Sequence, residues 1–481
     1  MKLFLRIVKY FSLLFLFNML IYPQHLKQGL EEYIHEYYKN KNVPSISAGI
    51  SIKDKIYWDD AVGSADIENH IPANRKTIYR IASISKVITA VAIMQLVEKN
   101  KIKLDDDARK YIPNFPKKQW KFTIRQILQH TAGLRTYKPG EFDSKDYFRS
   151  TNDAVMYIAN DSLVYKPGTK FLYTTLGYNL LAAIIEKVSG LTFPEYITKY
   201  IFLPCKMYSS QVEYQPQIVY NRARGYERNE FRQLINAPLA DLSIKYAGGG
   251  FISNTEDLLK FAEGLLNETL ISRAILDTML VPTKLKNGQL DSGLGFEINR
   301  DAYGRFYFGH LGGGTGFVSL LIIYPEYNLA SVDLINLNDR DLGKPALDLA
   351  NIALNNEYIH PRKSIADRMF EITTSCSIDS AFKVFRKIKS DSSSYYYLGK
   401  AEFNYLGYDL IALKRYSDAI KVFNFLANED PKDKSGFIGM GNAYNFAGQK
   451  QYSLFYYYKA LKLDAGNKYV LDMIKKIKNQ Q

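Results

Sequence analysis

One lysine in an apolar stretch is the feature of this sequence that most suggests chemistry. Lys86 is the only charged side chain between Arg80 and Glu98, in the run IASISKVITAVAIMQLV. Because the run has no glycine or proline and is apolar on nearly all sides, it predicts a buried helix. Burial disfavours the charged form of an ammonium group, so the pKa of this amine is expected to shift towards neutrality.

A serine lies one helical turn before that lysine, on the same face of the expected helix. Ser83 and Lys86 have the Ser-x-x-Lys spacing, and a serine next to a partly desolvated lysine is a nucleophile next to its base. The alternative is a helix-start serine followed by a lysine that extends to solvent. Ser380 and Lys383 have the same spacing in SIDSAFKVFRKIKSD, a mixed-charge amphipathic segment, and we expect that pair at the surface.

The surrounding segments predict the elements that must position the first pair. A helix is expected in LKQGLEEYIHEYYKN, followed by a strand hairpin in PSISAGISIK and KIYWDDAVGSA. From the Ser83 helix to about residue 285 the pattern is mostly helical, and strands return in RFYFGH, GFVSLLIIYP and NLASVDLINL. We therefore predict an α+β domain with one antiparallel sheet, built from both ends of the domain and flanked by helices, and an all-helical insertion.

Beyond residue 357 the pattern is purely helical and contains an internal repeat. Six positions recur 34 residues later with similar residue types: Phe403, Leu406, Gly407, Ala419, Phe423 and Pro431 correspond to Phe437, Met440, Gly441, Ser453, Tyr457 and Ala465. This period and these residue types resemble the tetratricopeptide repeat, although unrelated amphipathic helices are an alternative. We expect a small all-α module over residues 358–481, and a protein partner for it.

The first 23 residues differ in character from the rest of the chain. A short basic start, MKLFLRIVKY, precedes the apolar stretch FSLLFLFNMLIY, and Pro23 follows. This pattern is typical of a secretory signal peptide, but no small-x-small cleavage site stands out, so an uncleaved N-terminal anchor is the alternative. We expect an exported, periplasmic or extracellular protein with a domain over residues 24–357 before the helical module.

Composition narrows the remaining function classes. The six histidines form no ligand spacing, and neither HExxH nor paired cysteines occur, so no metal or other cofactor is expected. The net charge of +14 comes from scattered lysines without a basic block beside aromatic residues, which argues against nucleic-acid binding. The charge allows a peripheral association with an anionic envelope, although compositional bias explains most of it.

Two further segments complete the candidate site. FLYTTLGYNLL contains Tyr173 just before an expected helix, and GHLGGGTGF places glycines between two expected strands at residues 309–317. The Tyr173 segment extends to KPGTKFLYTTLGYNLL, and three more motifs occur in order along the chain: KIKLDDDARKYIPNFP, TIRQILQHTAGL and YAGGGFISNTEDLLKF. Together with IASISK, this ordered set resembles the serine β-lactamase and penicillin-binding-protein superfamily. The resemblance is to its class C-like branch, which includes D-Ala carboxypeptidases, D-aminopeptidases and many esterases, and it covers roughly residues 28–355.

The resemblance implies roles for the first three residues of the site. Ser83 corresponds to the acylated nucleophile at the start of the central helix, and Lys86 to the base that takes its proton. Tyr173 matches the tyrosine of the Tyr-x-Asn motif, which shuttles protons to the leaving group and activates the deacylating water. His130 in QHTAGL is expected to be structural, at a helix end.

The glycine-rich segment is implied to bind the substrate. His310 and Gly312 stand where β-lactamases carry the first and third residues of Lys-Thr-Gly, on the strand that flanks the cleft. The backbone N–H groups of Ser83 and Gly313 would form the oxyanion hole. A glycine at this place allows the substrate carbonyl to approach the strand closely.

Two positions depart from the β-lactamase pattern. Thr175 replaces the asparagine expected two residues after Tyr173, and His310 replaces a lysine that helps to hold a substrate carboxylate. We therefore expect an exported serine hydrolase that acts through an acyl-enzyme on esters or small peptides, including peptides with D-residues. The alternatives are a non-catalytic binding or scaffold protein with this fold, and a true β-lactamase in which His310 replaces the missing lysine.

Overall fold

The structure is a computed structural model that describes residues 25–285, 288–340, 342–391 and 395–479. The signal or anchor segment expected over residues 1–23 lies outside the described residues. The described chain divides into two compact units. The first holds the residues up to 227 together with 236–339 and 343–359, and the second holds 228–235, 340–342 and the residues from 360 onwards.

A seven-stranded antiparallel sheet forms the centre of the first unit. Its strands are β1 (Ser45–Ile52), β2 (Lys55–Asp66), β3 (Ile71–Pro72), β4 (Glu297–Arg300), β5 (Phe306–Gly314), β6 (Phe317–Tyr324) and β7 (Leu329–Ile335). The strand order is β4-β5-β6-β7-β1-β2-β3, so the strand hairpin that begins the unit pairs with the strands that end it. This arrangement confirms the predicted sheet built from both ends of the domain.

Helices pack on this sheet and fill the segment between its two halves. In chain order they are α1 (25–41), α2 (Ile84–Glu98), α3 (Ile124–Leu128), α4 (Thr151–Ala159), α5 (Tyr178–Ser189), α6 (Phe193–Ile197), α7 (Tyr246–Gly249), α8 (Thr255–Leu266), α9 (Arg273–Met279) and α10 (Pro345–Asn355). Short 3-10 or π turns cover Ala108–Tyr111, Thr198–Phe202, Ser243–Lys245 and Pro325–Tyr327. Short strands cover Tyr79–Arg80, Gln211–Val212, Tyr226–Arg228, Leu234–Asn236, Phe251–Ser253, Lys284–Leu285 and Gly288–Gln289.

The register of the central strands brings the helices close to the sheet. In β1, Gly49 lies opposite Val332 of β7, and a Cβ added to Gly49 would come within 3.0 Å of Leu259 on α8. On β7, the neighbouring Asp333 accepts the Ala346 N–H at the start of α10, at 2.7 Å. Successive side chains of a strand point to opposite faces, so α8 and α10 cover opposite faces of the sheet.

The helix α2 is the most deeply buried of the helices described in this unit. Every residue from Ile84 to Leu96 is buried, and the helix contacts α5, α7 and β5. A helix that is apolar on all sides has no polar surface for contact with water, so it is stable only when other elements pack around it. The prediction of a buried helix carrying Lys86 is therefore confirmed.

The second unit is mostly helical. Its helices are α11 (Ile365–Ser375), α12 (Ile378–Ser390), α13 (Lys400–Ala412), α14 (Tyr416–Glu429), α15 (Lys434–Phe446), α16 (Lys450–Leu463) and α17 (Lys468–Lys478), with short strands at Lys363–Ser364 and Tyr396–Tyr397. The hairpin of α15 and α16 repeats the bounds of α13 and α14 after 34 residues. Among the described helices, none combines the length and the apolar character needed to cross a membrane.

Equivalent contacts hold the two hairpins together. A Cβ added to Gly407 would lie 2.4 Å from the Phe423 ring, and one added to Gly441 would lie 2.5 Å from the Tyr457 ring. In each hairpin the glycine therefore makes room for the aromatic ring of the following helix. The predicted all-α character of this region is confirmed, and its assignment to the tetratricopeptide type stays a prediction.

Candidate active site

Ser83 stands at the N-terminus of α2, and its hydroxyl does not cap the helix. The Ser83 Oγ instead accepts hydrogen bonds from Lys86 Nζ at 3.0 Å and from the Tyr173 hydroxyl at 2.8 Å. The preceding residue, Ala82, has φ of 43°, a left-handed conformation that is uncommon for a residue with a side chain. The structure therefore does not contain the alternative arrangement, a serine that caps the helix beside a lysine that extends to solvent.

Lys86 is fully buried, and the hydrogen-bond acceptors of its amine among the described residues are neutral. Besides Ser83, Nζ donates to Thr175 Oγ1 at 3.1 Å and to the Gly248 carbonyl at 2.6 Å. Desolvation, followed by the charge of Lys245, holds the pKa of Lys86 well below its ordinary value. A lower pKa increases the fraction of neutral amine, whose lone pair can accept a proton from Ser83 over the existing contact.

Tyr173 completes a triangle of hydroxyl, amine and phenol around Ser83. Although 37% of its surface is exposed, neighbouring residues desolvate the phenol and raise its pKa above the ordinary value. Lys86 Nζ lies 4.7 Å from the centre of the Tyr173 ring. Tyr173 is therefore a neutral proton donor in this state, whereas Lys86 is the group adapted to accept a proton.

The glycines of β5 lie beside the N-terminus of α2. A Cβ on Gly312 would be 2.6 Å from the Ile81 carbonyl oxygen and 3.2 Å from the Ser83 nitrogen, so only glycine fits there. A Cβ on Gly313 would meet no atom within 4 Å, because this residue borders the open cleft. The Ser83 N–H donates to no acceptor among the described residues. A carbonyl oxygen placed in the cleft can approach this N–H group.

His310 is buried and neutral. Its Nδ1 lies 2.6 Å from the Leu311 carbonyl oxygen, so this nitrogen carries the hydrogen of the ring. Burial, followed by the charge of Lys86, lowers the pKa of His310 to about 3. At neutral pH the residue therefore gives the strand no positive charge for a substrate carboxylate.

Thr175 lies deeper than a substrate-binding side chain at the mouth of the cleft. Only 7% of its surface is exposed. Its hydroxyl accepts from Lys86 Nζ at 3.1 Å, and the Tyr137 side chain lies close to it. The structure therefore places the Thr175 hydroxyl against the base, in the lining of the cleft that also contains Ser83, and a role for Thr175 in substrate binding stays a prediction.

Ser83, Thr175 and Gly313 line one cleft with an open volume of about 340 Å³, and His310 lines a separate pocket. The cleft is lined by Ser83, Thr175, Gly248, Gly313, Tyr137, Lys245 and seven further residues. In the described part of the chain, no group of histidine, cysteine, aspartate or glutamate side chains is suited to a metal ion. The chemistry of the described cleft therefore rests on a hydroxyl, an amine, a phenol and backbone N–H groups.

Comparison with known proteins identifies the family to which this cleft belongs. A family model described as Beta-lactamase matches residues 30–354. The chain belongs to the β-lactamase family. The resemblance inferred from the ordered motifs is thereby confirmed, and the first unit is a β-lactamase-like domain of the serine hydrolase type.

Relatives and a solved structure extend this assignment. The serine beta-lactamase-like protein LACTB, mitochondrial, of Bos taurus is 31% identical over 408 residues, which cover 63% of this chain and 73% of the relative. Penicillin-binding protein 4* of Bacillus subtilis is 28% identical over 297 residues, 58% of this chain and 65% of that protein. The octameric penicillin-binding protein homologue of Pyrococcus abyssi has 26% identity and a TM-score of 0.59 over 68% of this chain and 77% of its own.

Within this β-lactamase-like domain, His130 contacts the site more closely than its expected structural role implied. Its ring lies 4.4 Å from the Tyr173 ring, and Nδ1 accepts the Thr174 N–H at 3.2 Å. Burial, followed by the charge of Lys86, holds the pKa of His130 well below its ordinary value. A neutral imidazole therefore supports one face of the phenol.

Three groups that the sequence did not single out also line the site: the Gly248 carbonyl, Tyr137 and Lys245. The motif YAGGGF was noted as part of the family pattern, and Lys245 precedes it directly, but nothing in its spacing marked the lysine as buried. Tyr137 lies in a loop without any recognisable pattern, so only its position in the fold identifies it.

Proposed function

We propose that this protein is an exported serine hydrolase that acts through an acyl-enzyme on esters or small peptides, including peptides with D-residues. One observation carries the proposal: the Ser83 hydroxyl is hydrogen-bonded to both the buried Lys86 amine and the Tyr173 phenol. A nucleophile in contact with a base of lowered pKa and a neutral proton donor is the arrangement that acyl transfer requires.

In the acylation step, neutral Lys86 takes the proton of Ser83 as Oγ attacks the substrate carbonyl. The negative charge that develops on the carbonyl oxygen is stabilised by the N–H groups of Ser83 and Gly313. Tyr173 gives its proton to the leaving alcohol or amine and recovers a proton from Lys86, so the site returns to its starting charge.

Deacylation repeats these transfers with water as the nucleophile. A water molecule replaces the leaving group, and its proton passes through Tyr173 to Lys86 as the oxygen attacks the acyl-enzyme. Collapse of the tetrahedral intermediate returns a proton to the Ser83 oxygen and releases a carboxylic acid. The overall reaction is the hydrolysis of one ester or amide bond.

The substrate class follows from two features of the cleft wall. His310 is neutral, so β5 carries no fixed cation for a carboxylate, and the Thr175 hydroxyl is occupied by Lys86. Both features favour uncharged esters and small amides over β-lactams, whose carboxylate and acyl-amide need these contacts. A binding-only protein is disfavoured, because it would gain nothing from a buried amine in contact with a serine.

Export and the helical unit belong to the same proposal. The basic and apolar start of the chain supports export to a periplasmic or extracellular site, with or without cleavage. The net charge of +14 allows peripheral contact with an anionic envelope. The two helical hairpins would present a surface to a protein partner.

The test is the release of p-nitrophenol from p-nitrophenyl butyrate by the purified protein. We expect turnover in the wild type and in Ser380→Ala, the matched serine of the second Ser-x-x-Lys pair, and none in Ser83→Ala. Equal rates in wild type and Ser83→Ala would contradict the proposal. Inactivity of the wild type would also contradict it if D-alanyl and L-alanyl p-nitroanilides were likewise left uncleaved.

A further inference from the structure

A second buried lysine lies in the wall of the catalytic cleft. Lys245, at the residue before α7, has only 4% of its surface exposed and lines the same cleft as Ser83 and Thr175. Buried ammonium groups without a carboxylate partner are rare because desolvation disfavours them. Two such lysines in one cleft therefore call for an explanation.

Lys245 is held by neutral groups. Its Nζ donates to the Phe142 carbonyl and lies 4.1 Å from the centre of the Phe142 ring and 5.5 Å from that of Tyr137. No described carboxylate forms an ion pair with it. The charges that act on it from a distance are Asp143, Arg80 and Glu213. Aromatic faces stabilise a cation without neutralising it, so the positive charge of Lys245 is fixed in place.

Two structural links connect this lysine to the base. Three residues further along the same turn, the Gly248 carbonyl accepts from Lys86 Nζ at 2.6 Å. On the other side, the Tyr137 ring that faces Lys245 lies close to Thr175 in the lining of the same cleft, and the Thr175 hydroxyl accepts from Lys86 at 3.1 Å. The position of Lys245 is therefore coupled to that of the Lys86 amine.

The titratable groups that face Lys86 are Tyr173, Tyr178, His130, His310, Glu297 and Lys245. The pKa values of both tyrosines are raised and those of both histidines are lowered, so these four groups are neutral. The two remaining groups, Lys245 and Glu297, act on Lys86 through their charges, and Lys245 has the larger influence.

We propose that Lys245 is a positioning residue for the base: its fixed charge disfavours a second charge in the cleft and so keeps the Lys86 amine neutral and able to accept the Ser83 proton. The catalytic use of that amine rests on the proposed function. Asp143 exerts the largest charge effect on Lys245 and favours its ammonium form, whereas Lys86 is fully buried and donates to the neutral oxygens of Ser83, Thr175 and Gly248. Burial lowers the pKa of Lys245 only to about 8.

The first test is the pH dependence of p-nitrophenyl butyrate hydrolysis by the full chain. This substrate is uncharged, so loss of a lysine that merely bound a substrate carboxylate would have no effect. Lys245→Met and Lys245→Gln remove the charge, and the glutamine can still donate to the Phe142 carbonyl. We expect the acid limb of kcat/KM to move up by about one pH unit in both, which corresponds to about tenfold lower activity on that limb.

Two control variants separate charge from packing. Lys245→Arg keeps a cation that can lie on aromatic rings, and it should retain the wild-type limb. Lys118→Met removes a lysine that also binds backbone carbonyls and lies over a ring, Phe115, without lining the cleft. It too should leave the limb unchanged. A uniform loss of rate at every pH in Lys245→Gln, with no movement of the limb, would overturn the proposal.

A second measurement does not depend on turnover. In protein labelled with [ε-¹³C]lysine, the Lys86 resonance is assigned by its absence from Lys86→Met, and its shift reports the charge of the amine. We expect its titration to move to higher pH in Lys245→Met and not in Lys118→Met. An unmoved titration would refute the role of Lys245 even if the wild type were inactive, whereas a moved titration in an inactive protein would refute only the proposed function.

Discussion

The two units of this molecule contain the same Ser-x-x-Lys spacing in opposite surroundings. In α2, Lys86 is fully buried and its amine contacts Ser83, Thr175 and a backbone carbonyl. In α12, Lys383 is exposed, and the hydroxyl of Ser380 accepts only from Ser377, at 3.0 Å. The same two residue types are adapted for acyl transfer in one helix and for solvation in the other.

The difference shows that the Ser-x-x-Lys spacing supports acyl transfer only where the lysine is buried. A lysine in water stays charged and hydrated, so it cannot take a proton from serine at neutral pH. In α2, desolvation lowers the pKa of the amine, and the Tyr173 phenol adds a proton donor that has no counterpart beside Ser380. The following predictions test this contrast, from the largest expected effect to the smallest.

Removal of the buried amine should have the largest effect. Lys86→Met keeps an apolar side chain of similar length in a buried helix, so the fold should remain intact while acylation loses its base. We expect a loss of about 10⁴-fold in kcat/KM for p-nitrophenyl butyrate. Lys383→Met is the matched control and should not change the rate. Turnover retained in Lys86→Met would refute the assignment of the base.

Removal of the phenol should have the next largest effect. Tyr173→Phe keeps the ring beside His130 and deletes only the hydroxyl that contacts Ser83. Because the leaving group then lacks its proton donor, we expect about a 10³-fold loss of kcat/KM with amide substrates. The loss should be smaller with p-nitrophenyl esters, whose leaving group needs no proton. An equal loss with both substrate types would contradict the proton-transfer role.

Removal of an oxyanion-hole donor should have the third largest effect on the rate. Gly313→Pro removes a backbone N–H at the cleft, and we expect a loss of at least about 10²-fold in kcat. Gly313→Ala keeps the N–H, and its Cβ would meet no atom within 4 Å, so it should cost much less than the proline variant. Similar rates in the proline and alanine variants would show that this N–H does not contact the substrate.

The same contrast between buried and exposed ionisable groups should appear in stability. Asp333 is fully buried, its Oδ2 has no hydrogen-bond partner among the described residues, and burial raises its pKa to about 7. A raised folded-state pKa contributes stability below the unfolded pKa of about 4 that is lost as the pH rises through about 7. In the wild type, the free energy of unfolding should therefore fall as the pH rises from about 4 to about 7. We expect this fall to be smaller in Asp333→Asn by roughly 2–4 kcal/mol.

Urea denaturation at about pH 4.5 and about pH 8 would measure this difference. Asp379, whose side chain is 71% exposed on α12, provides the matched control, and Asp379→Asn should leave the pH dependence unchanged. The same pH dependence in wild type and Asp333→Asn would contradict the account of the buried carboxyl.

Much of the framework could be predicted from the sequence because its patterns are local. The uninterrupted apolar run around Lys86 predicted a buried helix, and alternating strands at both ends predicted the sheet. Ser83, Lys86 and Tyr173 were identified because their motifs occur in the order of a known family. The structure brings these three side chains into mutual contact.

The rest of the site depends on contacts between distant segments, which no local pattern reports. Lys245 and Tyr137 are 108 residues apart in the sequence, yet they face each other in the cleft wall. The neutrality of His310 follows from burial by other elements, so the sequence could suggest the missing cation but not the protonation state. The contact of the Thr175 hydroxyl with Lys86 likewise joins two distant segments and could not be predicted from either motif alone.

The most direct test of the central claim compares the two serines within one protein. A fluorophosphonate phosphonylates an activated serine and releases fluoride, so peptide mass spectrometry of the treated full chain identifies the reactive residue. The account predicts an adduct on Ser83, none on Ser380, and no adduct on Ser83 in Lys86→Met. Two results would contradict the claim that the buried lysine activates this serine. One is that neither serine is modified, and the other is that Ser83 is modified at the same rate in Lys86→Met as in the wild type.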